Sequence, residues 1–326
     1  MEIEFITSPS FNFLTSFGHQ FHIPVHGNKL TIPAALGTGS IKKIDLDPDF
    51  KLLIHDYTLK EAFAIKRRPA TEPFDLISII CQDHDDWSGL STRERQNELA
   101  QNADFSAQIS STQLDSIVRF PANTPIYFTV IGITSAKLRS VLKLTHPNFV
   151  VQTILNNIPG FLYYETLSID ELKVLRQLRY TSPESELSTL YYLIKVQELV
   201  YLVFEKLLRR TNSNYHLVNR TDMGILAQVR TRLLTDLSQP PQLKIVAKEV
   251  GMSETKLKNL FRQVFGDSIY AYYQKARLEE AAFLLKQGNH SIAEVGSTLG
   301  FVNLSHFSRL FKKQYGINPK KYTSGG

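Results

Sequence analysis

Two periodicities divide the chain. Up to about residue 134 the apolar positions come in short runs or alternate with polar ones, the period-two signature of half-buried strands. Residues 52–59, 63–65, 74–82, 116–120 and 127–133 read as strands, with the turn Pro121-Ala122-Asn123-Thr124-Pro125 between the last two. The polar stretch 83–102 interrupts them as a loop or short helix. Many short strands punctuated by Pro, Gly and Asn predict a barrel or sandwich. After residue 134 the spacing changes to three and four. Residues 135–144 predict a short helix, Ser168 stands as the N-cap of another running to 179, and Pro183 suits the first turn of a longer helix ending near 210. In that last helix Leu190, Leu193, Ile194, Gln197, Tyr201, Phe204 and Leu208 recur at helical spacing, widened by Leu187, Val200 and Leu207. Such a stripe packs against its own domain or, in part, against a second copy in a homodimer.

Thr211-Asn212-Ser213-Asn214 breaks this pattern, and the linker is placed at 212–221. The expected organisation is a first domain over 1–211, β-rich to 134 and helical from 135, followed by an all-α domain over 222–326. Six or seven short helices are predicted in the second domain, the first over 224–237 and stopped by Ser238-Gln239-Pro240-Pro241. A helix over 243–250 turns at Gly251, and Ser253 caps a helix to 265. Helix, glycine turn and capped helix make a helix-turn-helix. The pattern then returns about fifty residues later. Gly300 repeats Gly251; Phe307, Leu310 and Phe311 repeat Leu257, Leu260 and Phe261; Tyr315-Gly316 repeats Phe265-Gly266. Between the copies Ser268 caps a helix over 269–286, roughly 25–30 Å long at 1.5 Å per residue. Successive major-groove openings lie roughly 34 Å apart, a spacing such a linker could nearly span.

Charge sharpens this division. From Asp222 onward there are 15 lysines and arginines against 8 acidic residues, and before it 22 against 23. The positive balance therefore lies wholly on the helical domain, as a phosphate-binding module requires. A chain of 326 residues with 43% hydrophobic content can bury two cores. Its one cysteine, Cys81, excludes an internal disulfide, fits a reducing cytoplasm and reads as a small buried apolar residue. The start, Met1-Glu2-Ile3-Glu4, lacks a basic segment leading into an apolar run, so no secretory signal is expected. The longest apolar stretches, such as 199–204, are too short to span a bilayer, so no membrane association is expected.

The second helix of each pair carries two stripes. In the first unit Leu257, Leu260, Phe261 and Val264 face inward, while Thr255, Lys258, Asn259 and Arg262 share an outward face, flanked by Ser253 and Lys256. In the second, Phe307, Leu310, Phe311 and Tyr315 face inward, and Ser305, Ser308, Arg309 and Lys312 face outward with Asn303 and His306 beside them. All these outward residues can bond phosphates or base edges. Arg309 suits bidentate contact to guanine and Asn259 the matching contact to adenine. The plainer alternative is two solvated amphipathic helices.

The run Gly300-Phe301, Ser305, Phe307-Ser308-Arg309, Phe311-Lys312-Lys313, Gly316 and Pro319, with Arg277-Leu278 and Leu284-Leu285 in the linker helix, resembles the DNA-binding domain of the arabinose-regulator (AraC/XylS) family of bacterial transcription factors. Gly296 departs from that pattern, where alanine is usual. Asn259 departs where arginine is common, and Asn318 replaces a common serine. The resemblance implies an α+β chain: a cupin-like β-barrel with helices that senses an effector and dimerises, then two helix-turn-helix units that bind promoter DNA, with RNA polymerase as a partner. It implies no enzymatic activity.

Candidate effector contacts are Tyr57, Phe63, Trp87 and Tyr127, with Phe128 compatible. Lys66-Arg67-Arg68 could meet an anionic effector or form a solvated strand end. Asp83-His84-Asp85-Asp86-Trp87 mixes ligand-type side chains with an aromatic in what reads as a solvated loop. His19, His22 and His26 have no acidic partner and fit no tight metal motif. No catalytic residue, cofactor or metal is assigned. Two alternatives stay open: an effector-independent dimeric regulator, and a metal-dependent cupin enzyme with a DNA-binding tail.

Overall fold

Alternation in β5 (Phe50–Leu59) and β10 (Pro125–Ile133) sets the architecture of the N-terminal part of the chain. The two strands pair antiparallel, with Tyr57 opposite Ile126 and Leu53 opposite Val130. Leu52, Ile54, Tyr127, Ile131 and Ile133 turn to one face and join a core completed by helices. Leu53, Tyr57, Ile126, Phe128 and Val130 turn to the other. The computed structural model describes residues 1–8, 11–69, 74–82, 106–114, 116–181, 183, 185–211, 216, 218 and 220–323. Among these the chain divides into two units between Asp222 and Met223.

In the first unit β2 (Val25–His26), β3 (Lys29–Thr31), β4 (Gly37–Asp47), β5, β7 (Ile77–Gln82), β8 (Ser106–Ser111), β10 and β11 (Leu162–Thr166) form an antiparallel sheet. Their order is β11-β8-β7-β10-β5-β4-β3-β2. A smaller sheet joins β1 (Glu2–Ile6), β6 (Phe63–Arg68) and β9 (Ser116–Phe120) in the order β1-β6-β9, with β1 and β6 parallel. Helix α1 (Phe13–Phe21) packs with the second face of the large sheet through Phe13, Leu14 and Phe17. Helices α2 (Ser135–Leu142), α3 (Phe149–Leu155), α4 (Ile169–Tyr180) and α5 (Ser188–Leu208) cover the first face. The capping box of Ser168 and Glu171 starts α4, and Glu171 also pairs with Lys206 of α5. Arg179 of α4 reaches Asp56 of β5 at 3.0 Å.

Three sequence expectations change here. Helix α1 lies within the stretch read as β-rich, because Phe13, Leu14, Phe17 and Phe21 follow helical spacing behind an Asn12 N-cap. Strand β11 lies within the stretch read as helical, where it adds to the edge of the large sheet through β8. The long helix begins at Ser188, five residues after Pro183. It splits its apolar residues between two faces. Tyr192, Val196, Leu199, Val200, Val203, Phe204 and Leu207 are buried, whereas Leu187, Leu190, Ile194 and Tyr201 are exposed. Cys81 is fully buried in the helix-side core, which pushes its thiol pKa up.

The second unit is helical: α6 (Arg220–Thr235), α7 (Leu243–Glu249), α8 (Glu254–Phe265), α9 (Ile269–Gln287), α10 (Ile292–Thr298), α11 (Leu304–Tyr315) and α12 (Pro319–Thr323). Helix α6 starts four residues before the sequence predicts. Its Leu234, with Leu237 just beyond, enters the core formed by Tyr273, Leu278, Leu285, Val295, Phe307 and Phe311.

Candidate nucleic-acid interface

The two predicted repeats fold alike in detail. In each, a seven-residue helix (α7, α10) leads through a glycine at positive φ to a capped twelve-residue helix (α8, α11). Gly251 has φ 65° and Gly300 φ 72°, the left-handed region that favours glycine. Open space surrounds Gly251, but a side chain at Gly300 would collide with the backbone carbonyl of Ser238. Ser253 accepts a hydrogen bond from Lys256 N at 3.3 Å, and Asn303 accepts one from His306 N at 3.0 Å. Both helices end at a glycine in the left-handed region. Gly266 N–H donates to the Arg262 carbonyl and Gly316 N–H to the Lys312 carbonyl.

Inward faces are set by burial. Leu257, Leu260, Phe261 and Val264 are inaccessible in α8, as are Phe307 and Phe311 in α11. Aromatic rings lock both helices to their neighbours. Phe261, Phe265 and Tyr272 form one cluster at the junction of α8 and α9; Phe301, Phe307, Phe311, Tyr315 and Tyr322 form another around α11. Truncating such a fully buried phenylalanine to alanine costs about 3–5 kcal/mol.

The residues expected on the outward faces are exposed, with one exception. Ser253, Thr255, Lys256, Lys258, Asn259 and Arg262 are exposed on the first unit. Asn303, Ser305, His306, Arg309 and Lys312 are exposed on the second, with Ser308 half-buried. Asn259, Arg309 and Lys312 make no side-chain hydrogen bond or ion pair among the described residues, so their donors remain available to a ligand. Ser253 and Asn303 differ in role, since each commits its side-chain oxygen to capping its own helix. Asparagine is both a common cap and a base-reading residue, and the sequence signal for the cap at Asn303 lay in its place just before α11.

Arg277 of α9 holds the second unit from behind. Its guanidinium is buried, lies 3.8 Å from the Phe301 ring centroid, and donates through Nε and Nη2 to the Leu299 carbonyl at 3.0 and 2.5 Å. That carbonyl belongs to the C-cap of α10, so the bond fixes the turn that aims α11. Tyr273 Oη donates to the Leu237 carbonyl at 2.8 Å and ties α9 to the end of α6. The departure at Gly296 lies beside the start of α11. A Cβ there would lie 2.5 Å from Leu304 Cδ2, because the first residue of α11 fills the space an alanine would occupy.

The candidate effector residues are placed differently. A cavity of about 390 Å³ opens between the two sheets of the first unit, and neither Tyr57, Phe63 nor Tyr127 is on its wall. Tyr57 and Phe63 are buried in the packing beside α1, and Tyr127 lies on the opposite sheet face, where its hydroxyl donates to the Leu175 carbonyl. Phe128, the next residue, does line the cavity. Trp87 and the Asp83–Trp87 cluster lie outside the described residues. Within Lys66-Arg67-Arg68, Lys66 and Arg68 bind Glu2 and Glu4 of β1, while Arg67 is buried at the cavity wall and donates to Ser110 and the Leu114 carbonyl. Among the described residues no group of three or more His, Cys, Asp or Glu side chains gathers to hold a metal. None of their helices is long and apolar enough to cross a membrane.

Residues 246–325 match the family model described as "Helix-turn-helix domain". The transcriptional regulator GbdR of Pseudomonas aeruginosa is 35% identical over 105 residues, covering 32% of this chain and 29% of that one. The arabinose operon regulatory protein of Escherichia coli K12 is 38% identical over 80 residues, covering 24% of this chain and 27% of its own length. The chain thus spans less than a third of these relatives. A solved transcriptional regulator of Chromobacterium violaceum with an AraC-type DNA-binding domain is 28% identical, covering 32% of this chain and 95% of that one, at a TM-score of 0.31. Residues 246–325 thus form a helix-turn-helix domain, similar in sequence to the corresponding parts of GbdR and the arabinose operon regulatory protein.

Proposed function

We propose that the chain is a sequence-specific, DNA-binding regulator of transcription whose N-terminal unit responds to a small-molecule effector. The observation that carries the DNA-binding part is the repeated geometry. Two twelve-residue helices, each buried on one stripe and exposed on a polar stripe, are joined by a nineteen-residue helix in the basic part of the chain. Phosphate contacts from lysines and arginines supply affinity, and the outward faces supply sequence choice. The cavity between the sheets supports the effector part. The exposed apolar residues of α5 support a homodimer. RNA polymerase is the partner through which a promoter-bound regulator of this family would act.

Footprinting on genomic DNA at several salt concentrations tests this reading. Discrete protected sites are expected, and with about six phosphate contacts the affinity should fall about a thousandfold between 50 and 200 mM salt. Uniform binding without site preference would overturn it.

A further inference from the structure

The cavity between the sheets has a wall that selects ligand chemistry. At about 390 Å³ it holds more than twice the roughly 150 Å³ of an apolar cavity that accepts one benzene. Most of its surface is carbon, and six phenylalanines line it: Phe5, Phe11, Phe13, Phe74, Phe120 and Phe128. Several of the rings are parallel. Phe128 stacks on the His55 imidazole at 4.0 Å and 13°, and lies parallel to Phe120 at 5.9 Å and 3°. Phe5 and Phe11 stack at 4.6 Å and 9°. Parallel ring planes favour a flat aromatic guest, which can stack in offset or edge-on contact.

Two polar side chains of this wall have unmet hydrogen-bonding capacity. Thr7 Oγ1 and His55 Nδ1 are buried and have no hydrogen-bond partner among the described residues. Burial also holds His55 neutral, so its imidazole carries one donor and one acceptor. Buried polar atoms in folded proteins are normally bonded, and these two on one cavity wall offer hydrogen bonds to a guest's polar atoms. Arg67 adds a buried guanidinium to the same wall. Polar side chains also line the wall, among them Lys43, Lys51, Gln82 and Gln108, but the surface they expose is small beside the carbon surface, which a polyhydroxylated sugar would leave unmatched.

We propose that this cavity binds a planar aromatic compound of one or two rings bearing a single hydrogen-bond-accepting head group, with the rings against the phenylalanines and the head group toward His55 and Thr7. The assignment deepens the effector reading and rests on it only for the regulatory consequence.

Calorimetry and thermal melting of the full chain with indole-3-acetate, indole, decanoate and galactose test it. Indole-3-acetate should bind at micromolar concentration and raise Tm, and indole, lacking the head group, should bind at least tenfold more weakly. Gly132→Leu should abolish binding while the chain still melts cooperatively. Gly132 lines the cavity, and a Cβ there meets only Leu76 Cδ1, at an ordinary 3.5 Å. Thr7→Val should weaken indole-3-acetate more than indole. Failure of both aromatic probes to bind, or binding unchanged by Gly132→Leu, would overturn the proposal. Preferential binding of galactose or decanoate, abolished by Gly132→Leu, would reject the aromatic class and leave an effector site standing. Footprinting reports on the DNA-binding reading independently of all these outcomes.

Discussion

Arg277 and Arg309 carry the same charge on opposite sides of one helix-turn-helix unit. Arg277 is buried against Phe301 and bonded to a carbonyl, so its charge serves the fold. Arg309 is exposed and makes no hydrogen bond or ion pair among the described residues. Arg309→Ala should therefore cost about 1–3 kcal/mol at the preferred DNA site and relax sequence choice there. Its melting temperature should not change. Competition between the preferred site and a scrambled duplex measures the first effect, and unchanged discrimination would remove Arg309 from sequence reading. His55 yields a prediction of a different kind. Burial lowers its pKa from 6.5 to about 3, so the folded state resists a proton that the unfolded state takes up. Stability is then full above pH 6.5 and falls as the pH drops toward 3, by at most about 1.4 kcal/mol per pH unit. Denaturant titrations across that range should show a shallower fall in His55→Leu than in the parent. At this scale the sequence was legible wherever a side chain acts through its own helix. It could not separate Tyr127 from Phe128. These neighbours face opposite sides of β10, and only the strand register decides which one meets the cavity.

Among the elements, helices were more legible than strands because their signals are local. Ser168, Ser253 and Ser268 each precede a helix that the structure contains, since a cap and a stripe lie within a few residues of each other. Strand β8, whose sequence is Ser-Ala-Gln-Ile-Ser-Ser, was missed. Its small polar residues have little strand propensity, and its place between β7 and β11 is fixed by distant partners. Gly296 shows how packing modifies a local signal. Glycine within a helix costs about 1 kcal/mol relative to alanine, and at position 296 a methyl would meet Leu304 Cδ2, the free end of an exposed side chain, at 2.5 Å. Gly296→Ala alone should gain less than the full ~1 kcal/mol, as Leu304 must swing outward to admit the methyl. Combined with Leu304→Ala it should recover much of that 1 kcal/mol. A double-mutant cycle by denaturant unfolding should give a coupling above about 0.5 kcal/mol, the usual limit of additivity for independent sites. Additive effects would show that the helices adjust freely.

For the whole molecule, the charge division picks out the same part of the chain as the helix-turn-helix match, because net charge is a sum over residues and needs no folding information. The cavity could not be foreseen in that way, since it arises where two sheets face each other and draws on β1, β5, β6, β9 and β10 together. The contacts at the end of α6 have a consequence for anyone dissecting this chain. The family match starts at residue 246, which makes that residue an inviting place to cut. A fragment begun there loses Leu234 and Leu237 from the core around Phe307, the acceptor for Tyr273 Oη, and the Ser238 carbonyl against Gly300. The two leucines alone contribute about 1.5–3 kcal/mol each when fully buried. A 220–326 fragment should melt cooperatively by circular dichroism and still give a footprint, whereas 246–326 should lose cooperative melting. Protection should then fail first over the half-site contacted by α11, leaving a truncated protein that resembles a single-reader regulator only because its second reader has come unmoored.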